Sequence, residues 1–274
     1  MKLDNGILKL ELCQKGGEMA SLQYNGYDVL YKGDGQYWGG KNPTLFPMIS
    51  SPSAKKYTLN GIEYPCRNHG LIRYMNLETV YEGEDKITMQ LKANEETLKE
   101  YPFNFTYEIT YRLDGKKVLI DYAITNNDDK VMPFTFGLHP GFIVRNFDDM
   151  VLSFPDDEEG CMIKESTGET RTVKLGEYKD FIPDVIKQHT IVLKDLKSKY
   201  VILKQKEYNV KVDMTNFKYL GLWTADPRAE YMCIEPWLSI NAIESSDNPF
   251  KEEFELEYLK PNETFKINYF IELI

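Results

Sequence analysis

The sequence lacks the features of several large protein classes. No apolar run approaches the roughly 18 residues that span a bilayer, and the first residues, MKLDNGILKLELCQ, alternate polar and apolar side chains instead of forming a signal peptide. There are 33 basic and 43 acidic residues, a net charge of −10, and no basic cluster is interleaved with aromatics as in a nucleic-acid groove. We therefore expect a cytoplasmic protein that binds neither membrane nor nucleic acid.

Signatures of metal and cofactor binding are also missing. The four cysteines have no CxxC spacing, so neither a zinc site nor a redox pair is predicted, and reduced thiols are a simpler interpretation than two disulfides. The chain has no Gly-rich loop leading into a helix, and no DxDxDG, HExxH or GxSxG motif. We expect no metal and no cofactor.

Strand patterns dominate what is present. Period-2 alternation of apolar residues, typical of strands with one buried face, recurs at Ile7–Leu12, Ile87–Leu91, Phe105–Leu113, Val118–Ile124, Tyr200–Lys204, Val210–Met214 and Phe265–Leu273. Turn signals such as Asn25-Gly26 and Asp114-Gly115 separate them. Helical signals are few: Glu95–Tyr101 fits one or two turns, and Tyr178–Ile186 is ambiguous. These patterns predict an all-β protein, a large antiparallel β-sandwich with a single domain over residues 1–274.

Four segments break the alternation and carry Gly, Pro, His and Trp instead: Tyr37–Pro52, Pro65–Arg73, Phe134–Phe142 and Leu222–Trp237. His69 lies in NHGLIR, and His139 in FGLHPGF, where glycine and proline mark a bulge or a close ligand approach. Glu235 lies in the apolar run YMCIEPW, where desolvation is expected to raise its pKa and make it a usable base. From residue type alone, each histidine could equally be half-buried against a backbone carbonyl, and Glu235 could be paired with an arginine.

Four motifs in order resemble the active-site segments of the galactose mutarotase-like aldose 1-epimerases, with the LacX-type branch the most similar. They are NPTLFPMIS (Asn42–Ser50), NHGLIR (Asn68–Arg73), FGLHPGF (Phe136–Phe142) and CIEPW (Cys233–Trp237). Any one of them is weak evidence, but their order is fairly specific, and the flanking strands extend the resemblance over the whole chain. The resemblance implies a supersandwich with a sugar bound in a groove on a concave sheet face.

The resemblance also implies roles for single residues. Glu235 matches the general base that takes the proton of the C1 hydroxyl, His139 the general acid that protonates the ring oxygen, and His69 a histidine that binds the sugar near O5. Arg73, Lys41 and Asn42 are further candidates for sugar binding. Three tryptophans, Trp38, Trp223 and Trp237, could stack on the sugar or fill the core.

The sequence departs from the family where relatives carry a sugar-binding aspartate. The corresponding stretch, IKQHTIVLKDLKS, has His189 at that position, with Asp184 and Asp195 nearby. His189 is the substrate-binding candidate there, although an exposed histidine at a strand end is the simpler interpretation. The identity of the sugar stays open for this reason.

The predicted function is that of an isomerase, an aldose 1-epimerase that interconverts the anomers of a free aldohexose, acting as a monomer or homodimer. One rival is a hexose-6-phosphate 1-epimerase, which would need Arg67, Arg73 and Lys41 to converge at one end of the groove. The other is a carbohydrate-binding module without catalysis, which would have no need of an acid–base pair.

Overall fold

The computed structural model describes residues 1–33, 35–156, 158–164, 169–188, 190–240, 248–250 and 255–274. Strands account for 50% and helices for 7%, which confirms the all-β prediction. The strands are β1 Lys2–Asp4, β2 Leu8–Leu12, β3 Met19–Tyr24, β4 Tyr27–Asp28, β5 Thr44–Leu45, β6 Lys56–Leu59, β7 Ile62–Pro65, β8 Glu78–Glu82, β9 Lys86–Lys92, β10 Phe105–Asp114, β11 Lys117–Asn126, β12 Met132–Phe134, β13 Gly137–Leu138, β14 Gly141–Ile143, β15 Val151–Ser153, β16 Glu159–Lys164, β17 Thr170–Lys174, β18 Glu177–Tyr178, β19 Thr190–Lys194, β20 Tyr200–Lys204, β21 Val210–Asp213, β22 Tyr219–Trp223, β23 Tyr231–Trp237, β24 Glu257–Leu259 and β25 Thr264–Leu273.

Two short helices accompany these strands. Helix α1 spans Glu95–Glu100, as the sequence predicts, and begins at Asn94, whose side chain accepts hydrogen bonds from two backbone N–H groups of the first turn. The ambiguous segment contains helix α2, Phe181–Gln188. Single 3₁₀ turns lie at Ile72–Tyr74 and Phe147–Asp149. In the described ranges, no helix has the length and apolar character needed to cross a membrane.

Two large sheets dominate the fold. One has nine strands in the order β18-β15-β20-β21-β25-β11-β10-β9-β8, and the other has the order β17-β16-β19-β22-β23-β13-β5, with β14 also paired to β23. Neighbouring strands in both sheets pair antiparallel, as predicted. All four cysteines lie in the described ranges and are free thiols.

The β10–β11 hairpin shows how alternation builds the core. The two strands pair from Phe105 opposite Asn126 to Asp114 opposite Lys117, around the predicted turn. Alternate side chains of β10 are buried, including two tyrosines. Their hydroxyls are satisfied internally, since Tyr107 donates to Thr44 Oγ1 at 3.1 Å and Tyr111 to the carbonyl of Gly17 at 2.8 Å. Aromatic side chains can therefore fill this core without leaving polar groups unpaired.

Strands β22 and β23 lie between the hydrophobic core and the opposite face of the eight-stranded sheet. Even-numbered side chains of both strands join the main hydrophobic core: Leu220, Leu222, Met232 and Ile234. Odd-numbered positions of β23 therefore point to the opposite face of the eight-stranded sheet, because side chains alternate along a strand. That face carries Cys233, Glu235 and Trp237.

Candidate active site

A groove of about 510 Å³ lies on this face of the eight-stranded sheet. Its lining brings together four of the residues expected from the sequence: His69, Arg73, His139 and Glu235. The described lining is completed by Tyr37, Trp38, Ser50, Ser51, Ser53, Lys55, Asn68, Thr190, Trp223 and Trp237. Both histidines and the glutamate therefore line the same groove.

Glu235 forms the floor of the groove on β23, with only 1% of its surface exposed. Its backbone partner on β22 is Gly221. A Cβ atom on Gly221 would lie 2.7 Å from the Trp237 ring and 3.1 Å from the Cβ of Glu235. The glycine therefore leaves room for the carboxylate and the indole to lie side by side.

His139 lies between β13 and β14, which both pair with β23. This position brings its Nε2 to 3.3 Å from Glu235 Oε1. The Trp38 ring stacks on the imidazole at 4.8 Å, and the edge of Trp223 packs against it at 5.6 Å. Burial, followed by the electrostatic effects of His69 and Arg73, holds the pKa of His139 well below its ordinary value.

His69 is fixed by a reciprocal pair of bonds with Ser50. The backbone N–H of His69 donates to the Ser50 carbonyl at 2.8 Å, and the Ser50 N–H donates to His69 Nδ1 at 3.0 Å. Burial, with Arg73 and Lys55 adding repulsion, lowers the pKa of His69 to about 3. Because Nδ1 accepts a hydrogen bond and the ring is neutral, the proton is on Nε2. His69 therefore offers a hydrogen-bond donor, and its ring lies 5.3 Å from that of His139.

Gly70 holds the two segments together. It has a φ of +74°, and a Cβ at this position would collide with the carbonyl group of Phe46. The Phe46 carbonyl also accepts a hydrogen bond from the Leu71 N–H at 2.8 Å. The close approach at this glycine is between two backbone segments, and it orients His69.

The cations of the region do not converge as the phosphate alternative requires. Arg73 lines the groove, but Lys41 lines a second cavity, of about 290 Å³, whose described lining also includes Arg73 and Glu18. The guanidinium Nη2 of Arg67 lies 2.5 Å from Glu100 Oε1, and Arg67 does not belong to the described groove lining. The second cation of the groove is Lys55, whose Nζ donates to Ser51 Oγ at 2.7 Å. It lies on a loop with no sequence signal, and sequence reasoning missed it.

Other predicted binding residues are engaged elsewhere. Asn42 uses its carboxamide to bind the backbone of Met19, accepting from the N–H at 2.8 Å and donating to the carbonyl at 2.6 Å. Asp184, on α2, pairs with Arg171 at 2.6 Å and accepts from the Tyr178 hydroxyl. Neither lines the groove, and neither does the exposed Asp195. His189 lies outside the described residues.

A family model for aldose 1-epimerases matches residues 1–271. The chain belongs to the aldose 1-epimerase family. Two LacX proteins of Lactococcus lactis subsp. lactis, one plasmid-encoded and one chromosomal, are each 26% identical to it, over the whole chain and 99% of their own length. Two solved structures share its fold over the whole chain. A galactose mutarotase related enzyme from Lactobacillus acidophilus, 23% identical and covered to 97%, gives a TM-score of 0.90. A galactose mutarotase-like protein from Lactobacillus casei, 22% identical and covered to 99%, gives 0.87.

Two polar atoms on the groove wall of this aldose 1-epimerase family member are left unsatisfied. His139 Nδ1 and Trp237 Nε1 are buried and find no hydrogen-bond partner in the part of the chain that the structure describes. Such atoms are rare in folded proteins because each costs about 1–3 kcal/mol. Both belong to residues that line the groove. A polar ligand or water in the groove would satisfy them.

Proposed function

We propose that this member of the aldose 1-epimerase family interconverts the α and β anomers of a free aldohexose. The observation that carries the proposal is the contact of 3.3 Å between His139 Nε2 and Glu235 Oε1 on the groove floor. Opening a hemiacetal requires one proton to leave O1 and another to reach the ring oxygen O5. An imidazole and a carboxylate that are side by side can share that task.

In the reacting form Glu235 is ionised and His139 is an imidazolium, so the pair holds one transferable proton, which resides on His139. Glu235 takes the proton from O1 as the C1–O5 bond breaks and the C1 carbonyl forms, and His139 gives its proton to O5. Rotation about the C1–C2 bond and the same transfers in reverse produce the other anomer and return both groups to their starting state. Each transfer contributes about 10² to 10⁴ in rate.

The remaining groove residues suit a neutral sugar with many hydroxyl groups. His69 Nε2–H is a donor beside His139, and Arg73 supplies further donors at the groove wall. Trp38 and Trp223 are half-buried and offer apolar ring surface next to the imidazole. The orphaned Nε1 of Trp237 would gain a partner from a sugar hydroxyl.

A sugar phosphate is the less favoured substrate. Of the three cations on which that alternative rests, only Arg73 lines the groove. Lys55 adds a second positive charge, but its side chain is exposed at the rim. The cytoplasmic location and the choice between monomer and homodimer stay predictions.

The test is mutarotation of freshly dissolved α-glucose and α-galactose, followed by polarimetry, with glucose 6-phosphate run in parallel. We expect acceleration with a free sugar and its loss in Glu235→Gln. The matched control is Glu158→Gln, since Glu158 is a buried glutamate bound to the Lys197 and Ser198 N–H groups outside the groove. Faster mutarotation of the phosphate alone would favour the phosphate alternative, and sugar binding without acceleration would favour the binding module.

A further inference from the structure

We propose that His139, Cys233 and Glu235 form an inhibitory site for a thiophilic divalent cation such as Zn²⁺. Their potential ligand atoms all lie within 4.8 Å of one another, and the three residues are buried. No local sequence pattern indicates this site, because 93 residues lie between the histidine and the cysteine.

The fold brings the three residues together in two steps. Cys233 and Glu235 are two residues apart on β23, so their side chains share the groove face of the sheet. Cys233 pairs with Gly141 of β14, two residues after His139. In tetrahedral zinc sites neighbouring ligand atoms are separated by about 3.5 Å, as follows from metal–ligand distances near 2.1 Å. The imidazole and carboxylate are already 3.3 Å apart, so only the thiol has to move closer.

The donor set selects the class of cation. A thiolate, an imidazole and a carboxylate together suit zinc, cobalt and cadmium, whereas Mg²⁺ and Ca²⁺ prefer oxygen ligands alone. Binding transfers the thiol proton of Cys233 to solvent, and the resulting thiolate and carboxylate neutralise both charges of the ion. His139 Nδ1 has no protein partner in the described chain and can carry the ring proton, which leaves the lone pair of Nε2, 3.3 Å from Glu235 Oε1, for the ion.

The ion has an entry path, because His139 and Glu235 line the groove although Cys233 is fully buried. Three protein ligands leave a fourth position open toward the groove, which water fills. The inhibitory effect rests on the proposed function, since the metal would occupy the two groups that exchange protons with the sugar. Zn²⁺ should therefore raise the apparent KM for the aldose, and chelation should reverse the effect.

Absorption spectroscopy with Co²⁺ tests the site without any assay of activity. A cobalt–thiolate bond gives a near-ultraviolet charge-transfer band, which we expect at one equivalent in the wild type. The band should disappear in Cys233→Ser and persist in Cys66→Ser, which removes another buried free thiol, outside the cluster. Glu235→Gln should keep the band but weaken cobalt affinity by at least about tenfold, since even outer-shell partners contribute 10- to 100-fold.

The half-buried Cys13 and Cys161 are unchanged in all of these variants. Cobalt bound to either thiol would therefore give a band that remains in Cys233→Ser. A band that survives in Cys233→Ser, or a wild type that shows none, would overturn the site. Circular dichroism establishes that each variant is folded before cobalt is added.

If the band follows the prediction but the wild type accelerates no mutarotation, the metal site stands and the proposed function fails. If mutarotation proceeds but Zn²⁺ leaves its KM unchanged, the inhibitory role is wrong.

Discussion

At the scale of single residues, the contact between His139 and Glu235 makes each group dependent on the other. Glu235→Gln keeps the shape of the side chain but removes the basic oxygen, so kcat should fall by about 10³ or more while sugar affinity stays within a few-fold. His139→Asn should have a comparable effect. The double variant should lose much less than the product of the two, because an acid without its base completes no reaction. Polarimetry for kcat and calorimetry for sugar binding measure both quantities. Loss of binding with unchanged turnover per bound sugar would make Glu235 a substrate-positioning residue.

The pH dependence of activity follows from the proton that the pair shares. Losing that proton from His139 at high pH, or adding a second proton to Glu235 at low pH, leaves the pair unable to transfer protons in both directions. Burial holds the pKa of His139 well below its ordinary value, so the shared proton is lost at lower pH than from an exposed histidine. We therefore expect the alkaline limb of kcat/KM to lie below about pH 6.5, the ordinary histidine value. An alkaline limb at or above about pH 6.5 would show that His139 titrates like an exposed histidine.

His69 links stability to pH. Its pKa is about 3 in the folded protein and near 6.5 when exposed, so between these values the unfolded chain holds a proton that the folded chain lacks. The free energy of unfolding should therefore fall as pH decreases from 6.5 toward 3, by up to about 1.4 kcal/mol per pH unit from this group. His69→Asn should remove that component, since asparagine tolerates the φ of +65° and its amide oxygen can accept from Ser50. Denaturant unfolding of both proteins at several pH values measures the difference, and parallel curves would contradict it.

The sequence identifies residues suited to acid–base chemistry better than it predicts which side chains line the groove. His69, His139 and Glu235 could be chosen from the sequence because they lie in segments that break the strand alternation and resemble the family's motifs. Lys41 and Asn42 follow a similar argument, yet hydrogen bonds to the Met19 backbone turn the Asn42 amide away from the groove. Such bonds join segments 23 residues apart and leave no local pattern in the sequence.

At the scale of elements, Gly70 allows the Phe46–Ser50 segment and the His69 segment to contact each other. Gly70→Ala adds a Cβ that collides with the Phe46 carbonyl, at a backbone angle that alanine rarely adopts. We expect a loss of about 2–4 kcal/mol in the free energy of unfolding, together with a lower kcat as His69 is displaced.

The matched control for this change is Gly61→Ala in the β6–β7 turn. Gly61 has a similar φ of +79°, but no heavy atom lies within 4 Å of an added Cβ. Its cost should be about 1 kcal/mol, from the backbone angle alone, with kcat unchanged. Thermal or denaturant unfolding of both variants gives the comparison, and equal losses would mean that the contact with Phe46 is unimportant.

Individual strands differ in how well the sequence predicts them. The alternating patterns predict β10, β11, β20 and β25 to within two residues at each end. The segment around β23 breaks the alternation because all seven of its residues are buried, with the core on one face and the groove residues on the other. A strand that is covered on both faces has no polar side for a period-2 pattern to detect.

At the scale of the whole molecule, neither the fold nor the proposed chemistry requires a metal. Exhaustive treatment with EDTA should leave both mutarotase activity and Tm unchanged. If a structural or catalytic ion were bound, it would stabilise the folded state by mass action, and its removal would lower Tm. Polarimetry and a thermal melt, each before and after dialysis against the chelator, provide the measurements. Activity that is lost and then restored by zinc or magnesium would contradict the expectation.

The antiparallel sandwich could be predicted as a class, but its strand order could not. Strand β23 lies between β22, its neighbour in sequence, and β13 and β14, which come about 90 residues earlier. Pairings over such distances depend on the packing of the complete chain. The single domain stays a prediction, supported by one core cluster that runs from Leu3 to Leu273.

The division of β23 between two faces has a consequence for how this protein can be re-engineered. Substitutions at 232 and 234 change the hydrophobic core, whereas substitutions at 237 reshape the groove beside Glu235. A saturation library of the strand should therefore divide by face: positions 232 and 234 would accept other apolar side chains and vary mainly in stability, position 237 would vary mainly in sugar preference, and position 235 would accept no change without loss of activity. Substrate range and thermal robustness could then be selected in separate rounds on the same seven residues.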